Sequence, residues 1–497
     1  MHKSTPQYAE SAIPTGLTGS FRYAVSSVAR LRKEVFGGLI VALALIPESI
    51  AFSVLAGVDP AVGLYSSVVM AIAISVTGGR PAMIAAATGA VAVVIAPVAE
   101  NYGLDFFLAT VLLAGVFQVV LGAVGVAKLM RYIPRSVMVG FVNALALVVL
   151  SAQLPHLIDV PWLVYPLVAA GLVVLVFFPR LTSAVPAPLV VVLLLTALTV
   201  GFDLKVPTVG DQGRLPTTLP TLGLPNVPLT WDTFRVIAPY ALGMALVGLM
   251  ESLLTAKLVD DLTESHSSKT RESIGQGIAN VCAGAFGGMG GCTMIGQTLI
   301  NVKEAGARTR LSTLLAGVFL LGLLLTLRDA VGKIPMAALV AVMLMVVVHS
   351  FDWHSIHPRT LRVLPLSETL VMLVTVIATL STHNLAIGVV LGVLTAMVMF
   401  ARRVAHLVSV TETPTGYRVS GQLFWAASND LIYHFDYNRP LTEVEIDFSE
   451  ATIWDASTVA TLDAVIHKYE AKGKAVRFVG LTEDSAARVA RLSGQLQ

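Results

Sequence analysis

Charge is scarce in this chain. Asp, Glu, Lys and Arg make up 13% of the 497 residues, where soluble domains carry about 25%. Hydrophobic residues reach 55% and mean hydropathy is +0.79, which excludes an ordinary soluble protein and dissolves most of the chain in lipid. Neither sign of charge dominates. With 33 basic and 31 acidic residues the net charge is +2, so no nucleic-acid partner is expected. Cysteine is nearly absent, and Cys282 and Cys292 both fall in apolar sequence, which argues against a disulfide framework. Residues 1–33 lack the charged, apolar and cleavage regions of a signal peptide in their required order; they are polar and end in Arg30, Arg32 and Lys33. The run Gly287-Gly288-Met289-Gly290-Gly291 has no following Gly-Lys-Ser/Thr, so it is not a phosphate loop and reads as a tight chain crossing. His349, His354 and His357 lie among polar residues at a span end and are not read as metal ligands. No nucleophile–base pattern and no cofactor motif emerge, so no enzyme is expected.

What is present is a series of apolar runs. A hydrocarbon core of about 30 Å takes roughly 20 helical residues. Runs between charged or Pro/Gly breaks predict spans near 36–56, 60–78, 104–127, 133–152, 162–179 and 185–201. The second half offers 236–258, 272–288, 310–327, 334–350, 366–380 and 384–401. Two stretches, Met83–Val98 and Thr293–Val302, are too short to cross alone, since ten helical residues rise only about 15 Å. Counted as half-helices they give fourteen segments, seven in each half.

The distribution of basic residues orients the chain. With the N-terminus cytoplasmic, about nineteen of the Lys and Arg residues up to Arg402 fall inside and about five outside. Lys128/Arg131/Arg135, Lys303/Arg308/Arg310 and Arg359/Arg362 all land inside, and Asp260-Asp261 reads as part of a solvated inner loop. The loop 202–230, with Pro207, Pro216, Pro220, Pro225 and Pro228, lands outside.

Seven is odd, so the second half enters the membrane from the opposite side, as in the inverted repeats of secondary transporters. Local text supports the duplication: Glu48-Ser49 against Glu251-Ser252, and Met83-Ile84 against Met294-Ile295. The short spans are third and tenth, and paired short spans point to a binding site. The two glutamates sit in lipid-compatible sequence, at a cost of roughly 2.5–3.5 kcal/mol on insertion scales. Such residues usually face a cavity and mark an ion or substrate path.

After Arg402 the character changes. Residues 403–497 alternate strand-like runs (417–424, 441–448, 475–479) with helix-like ones (457–472, 484–492), a soluble α/β domain that span parity places in the cytoplasm. The chain thus reads as a cytoplasmic segment 1–35, a transmembrane domain 36–402 with repeats 36–201 and 236–402 joined by 202–235, and this tail.

Several stretches resemble the SulP family of anion transporters, solute carrier family 26. Ile46-Pro47-Glu48-Ser49 through Gly57-Val58 and Gly63-Leu64-Tyr65-Ser66-Ser67 is similar to its first-span signature. Glu251-Ser252-Leu253-Leu254 with Gly275-Gln276-Gly277-Ile278-Ala279-Asn280 resembles the start of its second half, and Ala305–Ser312 its motif after the tenth span. The tail resembles a STAS domain. The resemblance implies a fourteen-segment α-helical membrane fold, a 7+7 inverted repeat of core and gate domains with the site between them, a homodimer and a small inorganic or organic anion as cargo. Sulfate, bicarbonate and small carboxylates are the family's cargoes, moved by symport or exchange. The chain departs from the family at Thr298, at or beside which many members carry Arg, at Ala87, where Pro commonly precedes the Thr, and at Asp455-Ala456-Ser457, where phosphorylated relatives show Asp-Ser-Ser.

An anion in a membrane needs compensation that does not itself demand a counter-ion. Two half-helix N-termini facing each other supply unpaired N–H groups and about half a positive charge each. Small residues at Ala87, Gly89 and Gly296 allow close approach, while Thr88, Gln297 and Thr298 can hydrogen-bond the anion. Small residues also serve as a packing face. Glu48 and Glu251 cannot bind an anion while ionised, and burial disfavours the charged form of a carboxyl, so either can carry a proton with the cargo. Alternatively Glu251 and Thr255, one turn apart, can hold Na⁺. The leading reading is a proton-coupled secondary transporter of the cell membrane with both termini cytoplasmic. An exchanger, an uncoupled channel on the same fold, and a membrane sensor reporting through the tail remain as alternatives.

Overall fold

The structure is a computed structural model that describes residues 16–495 apart from 126–132, 182–185, 216–217, 383 and 429–430. Lys128 and Arg131 of the inner basic cluster and Pro216 of the long loop lie outside the described residues. The chain divides into two compact units, Met1–Gly392 and Val393–Gln497.

A short α1 (Leu17–Val25) precedes α2 (Val28–Leu55) and α3 (Pro60–Thr77). A two-residue strand β1 (Ala85–Ala86) then leads into α4 (Gly89–Tyr102), followed by α5 (Leu104–Val124), α6 (Arg135–Gln153), α7 (Val164–Leu181) and α8 (Ala187–Gly201). The second half repeats the pattern. After α9 (Trp231–Thr263) and α10 (Lys269–Ala285), strand β2 (Cys292–Thr293) leads into α11 (Ile295–Leu299), which continues as a π turn to Glu304. Then come α12 (Arg310–Thr326), a short α13 (Arg328–Gly332), α14 (Met336–Ser350), a short α15 (Pro358–Val363), α16 (Leu366–Thr382) and α17 (Leu385–Ala405). Among the described residues, leaving aside the short α1, α13 and α15, each half has seven segments, with a strand-led short helix third.

Several boundaries shift from the sequence reading, two of them in helices that reach the site. The first long apolar helix, α2, begins at Val28, so Arg30, Arg32 and Lys33 belong to its opening turns. The half-helix predicted over Met83–Val98 starts only at Gly89 and runs on to Tyr102. Pro81 restricts the chain before it to extended geometry, and Ala82 stands in the left-handed region at φ 64°. The text match of Met83-Ile84 with Met294-Ile295 is also out of register. The first pair precedes its strand, whereas the second follows its strand and opens the helix.

Helices α2, α3 and α12 pack together, as do α5, α9 and α10, with α4 against α5 and α9. A second group packs α6 with α14 and α16, and α7 with α8 and α14. These are the core and gate layers. Glycine sets the close crossing of α5 and α10: a Cβ on Gly115 would stand 2.7 Å from the Gly277 carbonyl oxygen, and one on Gly277 2.6 Å from that of Gly115. That contact accounts for the second glycine of Gly275-Gln276-Gly277. The outward faces of α7 and α17 expose Val173, Phe177, Val398 and Phe400, an arrangement that a lipid environment accommodates.

The ionic groups around Asp260, Glu272, Arg310 and Glu34 are more ordered than their sequence context predicts. Asp260 is buried on the last turn of α9, not in a solvated loop, and pairs with Arg80 at 3.2 Å and Lys269 at 2.6 Å. Glu272 accepts from the backbone N–H of Gly79 at 2.7 Å and Arg80 at 3.0 Å. Buried Arg310 donates to the carbonyls of Ser75 (3.1 Å) and Gly78 (2.6 Å). Glu34 accepts from Arg308 N–H at 2.8 Å and Thr309 N–H at 3.1 Å, holding the start of α12. His357 accepts from Arg359 N–H and so caps α15.

The second unit carries a four-stranded sheet in the order β3 (Ser409–Thr413), β4 (Gly416–Leu423), β5 (Glu443–Ile453), β6 (Ala475–Val479). β3 and β4 form an antiparallel hairpin, and β4–β5 and β5–β6 are parallel. A short α18 (Trp425–Ser428) follows β4, α19 (Ala456–Glu470) connects β5 to β6, and α20 (Glu483–Leu492) closes the unit. Val419, Ile446, Phe448, Leu462 and Tyr469 fill its core. Asp455 caps α19 by accepting from Thr458 N–H at 3.0 Å and also holds Trp425 N–H at 2.6 Å. Asp455→Ala is expected to cost about 1–2 kcal/mol and to speed amide exchange across 456–462, read by hydrogen–deuterium exchange on the full chain. Unchanged protection there would remove the cap from the account.

Candidate functional site

The centre of the first unit is the antiparallel pairing of β1 with β2, Ala85 opposite Thr293 and Ala86 opposite Cys292. Its closeness depends on the glycine run that the sequence reads as a crossing. A Cβ on Gly291 would lie 1.8 Å from the Ala86 carbonyl oxygen, and one on Gly288 2.7 Å from Ser66 Cα. Gly287 and Gly290 take positive φ, 74° and 66°. Buried polar groups need partners, and α10 supplies them: Asn280 donates to the Gly291 carbonyl (3.0 Å) and accepts its N–H (2.8 Å), while Gln276 donates to the same carbonyl (3.1 Å).

Serines anchor each strand. Thr293 N–H donates to Ser252 Oγ at 3.0 Å, and Ala87 N–H donates to Ser67 Oγ at 3.1 Å, which bonds Ser49 Oγ at 2.6 Å. Both serines of the duplicated Glu-Ser text therefore hold the crossing, one directly and one through Ser67.

Antiparallel β1 and β2 lead directly into α4 and α11, so the N-terminal ends of both helices lie at this pair. Thr88 and Met294 occupy the N-cap positions, and neither helix has a side-chain cap, which leaves first-turn N–H groups available. Phe52 covers Gly89, where a Cβ would be 2.8 Å from the ring. Gly296 faces open space.

Both glutamates reach this junction. Gln297 Nε2 donates to Glu48 Oε2, joining α11 to α2 in a buried contact. On the other side Cys292 Sγ lies 2.7 Å from Glu251 Oε2 and 3.1 Å from Thr88 Oγ1, joining α9, β2 and the start of α4. Of the residues singled out from sequence, Glu48 meets Gln297, and Glu251 reaches Thr88 through Cys292. Ala87 and Gly89 bring backbone, and Gly296 brings open access. Thr298 accepts from Ile84 N–H at 3.1 Å and is turned toward the strand. The Thr255 hydroxyl donates to the Glu251 backbone carbonyl at 2.8 Å, not to its carboxyl, and stands 3.4 Å from the Thr293 carbonyl.

Sequence reasoning missed Cys292, Ser67, Phe52 and the anchoring role of Ser49 and Ser252. Ser49 and Ser252 carried a signal, since each follows a duplicated glutamate. Cys292 carried none beyond its apolar surroundings.

Fourteen segments arranged as two seven-segment halves, with strand-led short helices crossing third and tenth, define a multi-pass membrane transporter fold. Murine Solute Carrier 26 family member A9, an anion transporter solved in an inward-facing state, shares it with a TM-score of 0.79 at 17% identity, over 92% of this chain and 87% of that one. The model of the Sulfate permease family matches residues 31–164 and 159–375. YbaR of Bacillus subtilis, whose name assigns it provisionally to the sulfate transporters, is 45% identical over 96% of this chain and its own full length. The Picosynechococcus bicarbonate transporter BicA is 27% identical over 76% of this chain and 72% of its own. The chain belongs to the sulfate permease family, and it is a membrane transporter and not an enzyme.

Proposed function

We propose that this protein moves a small anion across the cell membrane by proton-coupled symport with alternating access. The observation that carries the reading is the junction itself. Two helix N-termini and two carboxyls converge on one strand pair, offering positive dipole ends beside groups able to take up a proton. Sulfate and bicarbonate are the cargo classes named by relatives, and small carboxylates fit the same donor set. Thr88, Gln297 and Thr298, with the backbone at Ala87, Gly89 and Gly296, are the proposed anion contacts.

Glu48 is the proposed carrier of the coupled proton. When ionised it occupies the Gln297 amide, which is then a donor lost to the anion. Protonation neutralises the nearby charge and releases that donor, so proton and anion favour each other's binding, as reciprocal linkage demands. Glu251 is a second titratable group. With Thr255 and the Thr293 carbonyl it is also the place where Na⁺ would act in its stead. We further read the protein as a homodimer with both termini cytoplasmic, and residues 403–497 as a STAS domain that modulates transport.

The test is uptake of labelled sulfate, bicarbonate and succinate into proteoliposomes under an imposed proton or sodium gradient. Accumulation driven by an acid exterior supports symport. Equilibration alone indicates a channel, and dependence on internal anion an exchanger. Deleting residues 404–497 is expected to lower transport or expression while anion binding persists, because the proposed contacts all lie in the first unit. Complete loss of binding by a folded truncation would bring the tail into the site.

A further inference from the structure

Cys292 is placed to do more than pack. Its sulfur is fully buried, 2.7 Å from a Glu251 oxygen and 3.1 Å from the hydroxyl of Thr88, itself almost fully buried. A thiol and a hydroxyl each carry one hydrogen, and burial denies them water as a substitute partner. The direction of the bonds along Glu251–Cys292–Thr88 is therefore fixed from its end. We infer that Cys292 is a positioning residue that reports the protonation of Glu251 to the anion site by reversing this three-member chain. The inference rests on the proposed anion role of Thr88.

With Glu251 ionised, the thiol must donate to the carboxylate. Thr88 then gives its hydrogen to the sulfur and turns lone pairs toward an incoming anion, which repels it. When Glu251 takes a proton from one aqueous face, to which it returns it without carrying it across, its new O–H donates to the sulfur, the S–H rotates toward Thr88, and the Thr88 O–H is released to the anion. This proton tunes affinity, and Glu48 carries the coupled one. One proton enters, the thiol and hydroxyl hydrogens rotate, and no S–H or O–H bond breaks. The first half of the repeat does the equivalent with a single amide, Gln297 on Glu48.

Other titratable and charged groups around Glu251 are placed differently. On α10, Glu272 reaches β2 only through Thr293 Oγ1 at 3.5 Å and is held by the N–H groups of Gly79 and Arg80, while Lys269 pairs with Asp260 and Arg271 and Cys282 lie apart from the chain. Glu100 on α4 and Asp105 on α5 are at exposed helix ends, Lys257, Asp260 and Asp261 lie further along α9, and α11 contributes none before Lys303. Glu48 on α2 faces Gln297.

The experiment measures equilibrium binding of the labelled anion that wild type accumulates, in the full chain carrying Glu48→Gln so that the first carboxyl no longer titrates. Affinity should still rise as pH falls, by at most about tenfold per pH unit for one linked proton. Adding Cys292→Ser, which keeps a donor and an acceptor, should preserve this dependence. Adding Cys292→Ala should flatten it to less than about twofold over two pH units, against the single-proton ceiling. In Cys282→Ala protein, the infrared S–H stretch of Cys292 should also shift when anion is added, a change that a merely space-filling thiol does not make. A Glu48→Gln protein whose affinity ignores pH, or a Cys292→Ala addition that leaves the dependence intact, overturns the relay. Failure of wild type to bind or accumulate any of the three anions overturns the transport reading and the relay with it.

Discussion

Glu48→Gln is expected to retain anion binding and to lose pH-driven accumulation. One pH unit is worth about 1.4 kcal/mol, so a one-proton symporter at zero membrane potential accumulates its anion about tenfold for each unit of gradient. The variant should equilibrate at a ratio near one. Pro47 lies inside α2 and has no N–H to give the Leu43 carbonyl. Freed backbone and a polar side chain next to a proline are tolerated in a membrane only where protein or a polar cavity receives them, and here the receiving group is Gln297. Glutamine matches the neutral carboxyl in volume and carries no charge, so the junction keeps its shape and the Gln297 amide stays free for the anion while the exchangeable proton is gone. Proteoliposome uptake under an acid-outside gradient, with binding measured in parallel, reads both halves of the claim. Wild-type accumulation ratios in the variant would exonerate Glu48. A response of wild type to Na⁺ at fixed pH would shift attention to Glu251.

Much of this architecture is legible in the sequence because lipid imposes one-dimensional rules. Span length, basic-residue asymmetry and an odd number of segments per half follow from local composition, and the oblique crossing announces itself through two short spans and a run of glycines. What escapes is whatever long-range pairing decides. β3, Ser-Val-Thr-Glu-Thr, has a single apolar residue and exists because β4 offers an edge. β5 continues past Phe448 through the polar Ser449-Glu450 to Ile453, paired with β4 on both sides of a register shift between Arg418 and Ser420. Asp260 looks like loop text beside Asp261, and only the tertiary approach of Arg80 and Lys269 makes it a buried ion pair. At the site, Glu48 and Gln297 are 249 positions apart and Glu251 and Cys292 are 41 apart. The carboxyls could be named from composition, but their partners could not.

Gly291→Ala is expected to abolish anion binding and transport together. The added methyl would lie 1.8 Å from the Ala86 carbonyl oxygen, far inside the roughly 3 Å below which side-chain carbons are not found, and that oxygen belongs to backbone that cannot swing aside. Relief requires β2 to move away from β1. Asn280 and Gln276 resist that movement because both are bonded to Gly291 itself. If the strands part, Cys292 leaves Thr88, and the two helix N-termini no longer share a junction. Overpacking in a well-packed interior costs about 1–3 kcal/mol and occasionally more, and a clash with backbone belongs at or above the top of that range. The thermal midpoint of the purified protein should fall well below wild type. Gly322→Ala, at an exposed position on α12 where a Cβ meets no atom within 4 Å, should leave it unchanged or slightly raised. A Gly291→Ala protein with wild-type thermal stability and uptake would mean that the strands do not approach this closely, and that the anion site must be sought elsewhere in the core.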